Sequence, residues 1–336
     1  MSSKIEKIEV TALSKRNTYI SIGIIGMMFF IFGFVSWINA ILIPYFKIAC
    51  ELTNFQSYLV AFAFYISYFV MSVPSSVILK KIGFKKGMMV GFWIMALGAF
   101  IFIPAAYTRT YSIFLTGLFT LGTGLAILQT AANPHITILG PKERAAQRIS
   151  IMGICNKGAG ILAPLAFSAA ILRPTDEGLF AQIPLMDDIT RAAALDELIM
   201  RVVIPYAIVG ISLFLIGLFV RFSPLPEIDT EHESEELSKT NAGKKSVLQF
   251  PHLVLGAIAI FLHVGTQVIA LDTLIGYGSS TGVNLLEAKI SPSDTLSAAI
   301  SGYIAGIVLM HKFNSKTTLL IVSNLAGRLI HISIIC

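Results

Sequence analysis

The chain has 336 residues, of which 55% are hydrophobic and only 13% charged, and its formal net charge is +6. A soluble domain carries about twice that charged fraction, and a single core in a chain this long could not hide so much apolar surface. The basic excess is dispersed over many short segments and forms no contiguous face, which excludes nucleic acid as a partner.

Nine apolar stretches follow one another, at roughly 19–44, 57–79, 87–107, 111–138, 149–172, 202–222, 250–276, 293–310 and 317–336. A bilayer core about 30 Å thick needs roughly 20 apolar residues of helix to cross it. The expected class is therefore an all-α polytopic membrane protein with about nine transmembrane helices. The first stretch is too long for a cleavable signal, and no small-residue cleavage pattern follows it. With the N-terminus placed in the cytoplasm, 17 of the 25 Lys and Arg residues fall on inner segments and 6 on outer ones. That asymmetry is the one the positive-inside rule describes.

Two connectors are longer than the rest. Residues 173–201 form an acidic outer loop whose AAALDELIMR run predicts a short amphipathic helix. Residues 223–249 begin SPLPEID, continue EHESEELSKTNAGKK, and offer no apolar face, so they read as a polar cytoplasmic linker. The expected organisation is a six-helix bundle over 1–222, the linker, and a partial second bundle of about three helices over 250–336. Six spans followed by a long inner linker is a two-bundle transporter layout. A weak repeat agrees with it. Ile66-Ser67-Tyr68 runs into KKIGFKK, and Ile300-Ser301-Gly302-Tyr303 runs into HKFNSK. In the ninth stretch Arg328 and His331 interrupt AGRLIHISIIC. A central Arg costs about 2.5–3.5 kcal/mol on insertion scales. Either that helix is shielded or its last dozen residues are not the natural continuation, as in a truncated or frame-shifted chain. Cys50, Cys155 and Cys336 have no metal-ligand spacing and read as isolated thiols.

Polar groups inside the spans are costly and tend to face the bundle interior. Ser36 and Asn39 share a face of the first span, with Pro44 closing it. Gln129 and Asn133, four apart, share a face of the fourth, and Pro134 follows at once. Proline removes a backbone donor and loosens the preceding turn. Asn156 and Lys157 lie in the fifth span; His263, Gln267 and Asp272 lie in the seventh. An amide taken alone reads as interhelical glue of about 1 kcal/mol. Lys157 reads either as a cation at midplane or as a side chain snorkelling to the inner surface. The small-residue runs GTGLA and KGAGILAP read as points of close helix approach. Amides from four helices converging on one cavity suit a neutral polyhydroxylated ligand, because an amide both donates and accepts.

Several segments carry a resemblance. GLAILQTAANP (124–134) closely resembles the fourth-helix signature of the fucose:proton symporter and glucose/galactose permease family, within the major facilitator superfamily. INAILIPYFK (38–47), ELTNFQ (51–56), ILGPKERAAQR (138–148) and FPHLVLGAIAIFLHVGTQ (250–267) extend the likeness along most of the chain. The resemblance implies two six-helix bundles, of which the second is incomplete here, alternating access, and a hexose or deoxyhexose such as glucose, galactose or fucose. It implies a multi-pass protein of the inner (cytoplasmic) membrane. It also implies sugar contacts at Asn156 and Gln267, to which the residue reading adds Asn39, Gln129 and Asn133.

The departures bear on coupling. Proton-coupled relatives carry an Asp in the first helix, where this chain reads Asn39-Ala40, and a Glu in the fourth, where it has Gln129. Gly153 stands where relatives often have Gln. The connector SVILKKIGFKK keeps Gly83 and basic residues but lacks the acid of the superfamily pattern. Ala40 and Gln129 cannot titrate. The open readings are Na+ held by backbone carbonyls and amides, H+ carried by Lys157, His263 or Asp272, or uniport. No cofactor is expected, and the chain is expected to be a monomer. The alternative is a truncated, non-transporting or sugar-sensing relative. An enzyme is the weakest reading, since no acid pair, nucleophile–base pair or metal cluster stands at midplane.

Overall fold

The computed structural model describes residues 15–227, 246–283, 285–288, 290–314, 317–319 and 321–322. Eight helices among these residues are long and apolar enough to cross a membrane. Of the ninth stretch, only short helical pieces at 317–319 and 321–322 are described, so Arg328 and His331 lie outside the described residues, as does the linker over 228–245.

The first span runs from Arg16 to Ala49 and breaks at Ile38 into α1 (Lys15–Trp37) and α2 (Asn39–Ala49). The interruption is slight, because Ile38 keeps right-handed helical dihedrals (φ −58°, ψ −31°), and α2 continues through Pro44. The span thus reaches five residues past the expected end. α3 (Asn54–Ile82) opens on a capping box. The Gln56 amide N–H donates to Thr53 Oγ1 at 3.2 Å, and the Thr53 N–H donates to Gln56 Oε1 at 2.9 Å. Gly83, at φ 82°, turns the chain directly into α4 (Phe84–Thr108), a left-handed geometry glycine adopts freely. α5 (Tyr111–Ile138) and α6 (Ala145–Ile171) complete the inner helices of the first bundle. Pro74, Pro104, Pro134 and Pro164 lie inside α3, α4, α5 and α6, and every one of these helices continues through its proline. Neighbouring helices and hydroxyls re-satisfy the freed backbone in such spans.

The 173–201 connector folds as α7 (Asp176–Gln182) and α8 (Asp188–Met200). α8 is the amphipathic helix expected from AAALDELIMR, with Leu195, Leu198 and Ile199 buried. Asp187 caps it, accepting from the amides of Ile189 and Thr190, and these bonds hold its carboxyl below the usual range. Arg201 follows α8 and pairs with buried Asp176 at 2.7 Å. The sixth span, α9 (Val203–Phe222), comes next. α10 (Pro251–Ser280), the short α11 (Leu285–Ala288) and α12 (Ser291–Lys312) lie in the segment expected to form the second bundle.

The first bundle is closely packed: α4 lies against α5 and α9, α3 against α5, and α1 against α6. Glycine permits this. A Cβ on Gly98 would stand 2.6 Å from the Leu121 backbone nitrogen, and one on Gly91 would stand 2.9 Å from the Gly124 carbonyl oxygen. In the absence of a hydrophobic drive between helices in lipid, such close approach supplies the dispersion that holds them. The GTGLA run behaves as expected, since Gly122 lies on Phe64 and Ser67 and Gly124 on Gly91 and Met95. KGAGILAP does so only in part. Gly160 meets Trp37 and Leu296, while nothing lies within 4 Å of a Cβ placed on Gly158. An aromatic cluster closes the outer half, with Phe102 stacked on Tyr206 at 3.7 Å between centroids and Phe46 against Phe114 at 4.7 Å.

Beyond α9, residues 223–227 are not free linker. Ser223 and Leu225 are buried, the Lys85 ammonium donates to the Ser223 carbonyl, and His135 Nε2 lies 2.9 Å from the Pro226 carbonyl oxygen. Glu227 Oε1 accepts from the amides of Phe84 and Lys85 and so caps α4. The acid missing from the α3–α4 connector is supplied in space by this glutamate. Arg148 ends α5 by donating to the carbonyls of Ile136 (2.9 Å), Thr137 (2.7 Å) and Pro141 (2.8 Å), the arrangement that favours a cation at a helix C-terminus. Cys50 and Cys155 are free thiols, as their spacing indicated, and Cys336 lies outside the described residues.

Candidate functional site

The intramembrane polar side chains fall into two groups. The first surrounds the C-terminal end of α1. Gln129 on α5 is half-buried, and its Nε2 donates to the Tyr68 hydroxyl of α3 at 3.5 Å. The Tyr68 hydroxyl also meets Ser36 of α1. The next residue, Trp37, donates from Nε1 to Asn156 Oδ1 on α6 at 3.3 Å, and Asn156 Nδ2 donates to the Phe29 carbonyl at 3.3 Å. Lys157 lies over the Trp37 ring, its Nζ 4.4 Å from the centroid. Ser36 and Trp37 therefore link Gln129 on one side with Asn156 and Lys157 on the other.

Two expectations change here. Lys157 does not snorkel: it is only 6% exposed and lies against the indole face, where a cation is attracted by the ring quadrupole. Asn156 has both ends of its amide engaged within its own bundle, at the point where α1 and α6 are closest. A Cβ on Gly33 would collide with the Asn156 backbone. Its two hydrogen bonds join α1 to α6.

The remaining predicted contacts are less gathered. Asn133, one turn along α5 from Gln129, is exposed. The Asn39 side chain lies outside what the structure describes, although its backbone begins α2. Ala40 is fully buried in the core. Gln267 is half-buried and His263 exposed on α10, and neither is joined by a hydrogen bond to the α1 cluster. Gly153 leaves a space that Tyr303 of α12 fills, since a Cβ there would stand 2.5 Å from Tyr303 Cε1.

The second group lies between α3 and α10. Asp272, buried, borders a cavity of about 340 Å³ walled by aromatic and aliphatic side chains of both helices. In the sequence Tyr65, like Trp37, Phe62 and the other aromatics, reads as packing rather than as a ligand platform, and Tyr68 is not singled out as a contact. Their signal was present, because Tyr58, Phe62, Tyr65 and Phe69 recur at helical spacing along one face of α3. Another cavity, of about 530 Å³, is walled mainly by apolar residues of α1, α6 and α9 and contains none of the amides. Among the described residues no group of three or more His, Cys, Asp or Glu is placed to hold a metal.

This arrangement of helices matches a known family. The family model described as Major Facilitator Superfamily matches residues 25–327. The chain belongs to that superfamily. Within it, the chain belongs with the fucose and glucose/galactose transporters. A glucose/galactose transporter of Brucella abortus biovar 1 (strain 9-941) is 34% identical over 270 residues, covering 80% of this chain and 61% of that protein. The L-fucose-proton symporter of Escherichia coli (strain K12) is 30% identical, covering 80% and 62%. A putative glucose/galactose transporter of Helicobacter pylori (strain ATCC 700392 / 26695) is 30% identical, covering 89% and 70%. The chain thus spans about three-fifths of the length of the first two of these relatives. A crystal structure of the Escherichia coli fucose:proton symporter superposes with a TM-score of 0.70 at 26% identity, covering 90% of this chain and 74% of that one. A major facilitator transporter in the outward conformation superposes equally well, at 28% identity, covering 89% and 73%. The chain is a multi-pass helical membrane protein of a transporter family.

Proposed function

We propose that the chain transports a hexose or deoxyhexose across the cytoplasmic membrane by alternating access, with its N-terminus in the cytoplasm. The observation that carries this reading is the line of uncharged hydrogen-bonding groups, Gln129, Tyr68 and Ser36, presented by three helices in a chain of this superfamily. Amide and hydroxyl groups match the donors and acceptors of a sugar, and the Tyr65 and Tyr68 rings, 6.3 Å apart, offer apolar faces for its C–H surface. Gln129 is the primary contact in this reading, with Asn133 and Gln267 lining the path and Asn156 fixing α1 beside it. The two bundles are 1–222 and 250–336, joined by the 223–249 linker.

The test is exchange of labelled sugar by counterflow in vesicles holding the purified full chain. Removing one sugar hydrogen bond costs about 0.5–1.5 kcal/mol, so Gln129→Ala and Tyr68→Phe are each expected to raise the half-saturating concentration about twofold to tenfold. Exchange that is unchanged in both variants removes this site. Absence of exchange in the wild-type chain, with sugar still bound, favours a sensor.

A further inference from the structure

One buried group is left unused by the sugar reading. Asp272 is 4% exposed, and neither carboxylate oxygen has a hydrogen-bond partner among the described residues. It lines the 340 Å³ cavity together with Tyr58, Phe62 and Tyr65 of α3 and Ile269 of its own helix. The Tyr65 side chain of α3 is a neutral polar neighbour of the carboxylate and brings no countercharge.

No countercharge reaches it among the described residues. α3 presents only the two tyrosines. On α2, the Tyr45 hydroxyl donates to the Leu198 carbonyl and Lys47 is exposed. Glu287 of α11 and Asp294 of α12 are exposed, and Tyr303 of α12 rests on Gly153. His263 is exposed nine residues back along α10. An unpaired carboxylate in an apolar chamber is strongly disfavoured and must be neutralised by a proton or a metal cation. A hard cation such as Na+ wants several oxygen ligands, and an unwound helix is the usual source. α10 is unbroken from Pro251 to Ser280, so its carbonyls are engaged in the helix, and the Thr273 hydroxyl is bonded to the Ile269 carbonyl at 2.7 Å. A proton needs none of these ligands.

We infer that Asp272 is the proton-carrying group of the transport cycle. The carboxylate takes up one H+ while the α3–α10 face is hydrated, crosses the closed state as the neutral acid, and releases the same H+ on the other side. No other bond forms or breaks. The location suits the task, because α3 belongs to the first bundle and α10 to the second. Gln129, by contrast, cannot titrate. The consequence for transport rests on the sugar reading, but the protonation site itself does not.

Two measurements on the full chain in vesicles separate these claims. A gradient of one pH unit drives at most about tenfold accumulation through a one-proton cycle. Asp272→Asn is expected to lose this accumulation while keeping sugar counterflow, and Asp272→Glu to keep both. Infrared difference spectra between acidic and alkaline buffer are expected to show a protonated-carboxyl band that Asp272→Asn removes. The inference is overturned if Asp272→Asn still accumulates sugar on a pH gradient, if a Na+ gradient replaces the pH gradient in the wild type, or if the band persists in Asp272→Asn. Should the wild type show no counterflow, the sugar reading fails, and loss of the band in Asp272→Asn still upholds the proton site.

Discussion

Gly98→Ala tests the claim that close backbone approach holds the first bundle together. The added Cβ would stand 2.6 Å from the Leu121 nitrogen and 2.9 Å from the Gly117 carbonyl oxygen and Leu121 Cγ. Two of those three atoms are backbone of α5, so rotamer changes cannot relieve the clash. Restoring an ordinary contact of about 3.4 Å requires α4 and α5 to part locally by about 0.8 Å. A gap of about 0.5–1 Å forfeits a quarter to a half of the dispersion well for the atoms lining it, and overpacking typically costs about 1–3 kcal/mol. Alanine recovers up to about 1 kcal/mol in helix propensity. The net expectation is a loss of about 1–2 kcal/mol, a factor of roughly 5–30 in the folded ratio. Gly23→Ala is the control, because nothing lies within 4 Å of a Cβ there. It is expected to be neutral or stabilising by up to about 1 kcal/mol. Reversible unfolding in mixed micelles, followed by tryptophan fluorescence, measures both. A Gly98→Ala chain as stable as Gly23→Ala refutes the reasoning.

Two expectations concern the end of the first bundle that carries α7 and α8. Asp176→Ala removes one side of the buried pair with Arg201, whose side chains are 2% and 9% exposed. Breaking such a pair costs about 3–5 kcal/mol, and the low end is expected because Arg201 keeps Glu197 at 3.1 Å. Asp188→Ala breaks only a solvent-exposed pair with Arg191 and is expected to leave the unfolding midpoint unchanged. Burial pushes the Cys50 thiol up to about 11, with Arg109 pulling it back less strongly. Its thiolate is therefore scarce at neutral pH and grows as pH rises. In a Cys155→Ser, Cys336→Ser chain, maleimide labelling is expected to climb about tenfold per pH unit to about pH 10. A plateau near pH 9, as for a free thiol, contradicts the burial.

The spans were legible because length and apolarity are properties of a segment alone. α8 was legible because its apolar residues recur at helical spacing over a charged face. The orientation of the membrane helices was not. α3 and α6 are apolar nearly all round, so nothing local distinguishes the side of Tyr65 from the side of the fully buried Phe64. The cost of a charge in the bilayer picked out Asp272 and Lys157, but only packing shows that Lys157 rests on Trp37 and that Asp272 has no ion partner. Glu227 and Phe84 are 143 residues apart, and their contact depends on α9 returning the chain beside α4. Asn156 illustrates the ambiguity best. A polar group in a helix bundle is consistent with both ligand and glue, and only packing shows that Asn156 bonds to Trp37 and to the Phe29 carbonyl of α1.

The distribution of strong interactions bears on how such a chain would move. Among the described residues the ion pairs lie between Glu51 and Arg201, all within the first bundle. α8 ties the α2–α3 and α4–α5 turns together through Arg191–Glu51 at 3.5 Å and Arg109–Asp196 at 3.2 Å. Across to the second bundle, the polar contacts among the described residues include the Ser293 hydroxyl donating to the Ile161 carbonyl at 2.9 Å and Gln147 Nε2 lying 3.4 Å from His311 Nδ1. Apolar packing accompanies them, with Leu296 on Gly160 and Tyr303 on Gly153. Each of the two hydrogen bonds contributes on the order of 1 kcal/mol, against the multiple charged ties inside the first bundle. The boundary along α3, α6, α10 and α12 thus carries fewer charged ties among the described residues than the first six spans do, although α12 packs closely on α6. Rocking at that boundary would open the chamber around Asp272 while leaving the Gln129–Tyr68–Ser36 line intact, because those three residues share one bundle. Proton entry and sugar contact would then be governed by one interface without sharing a side chain.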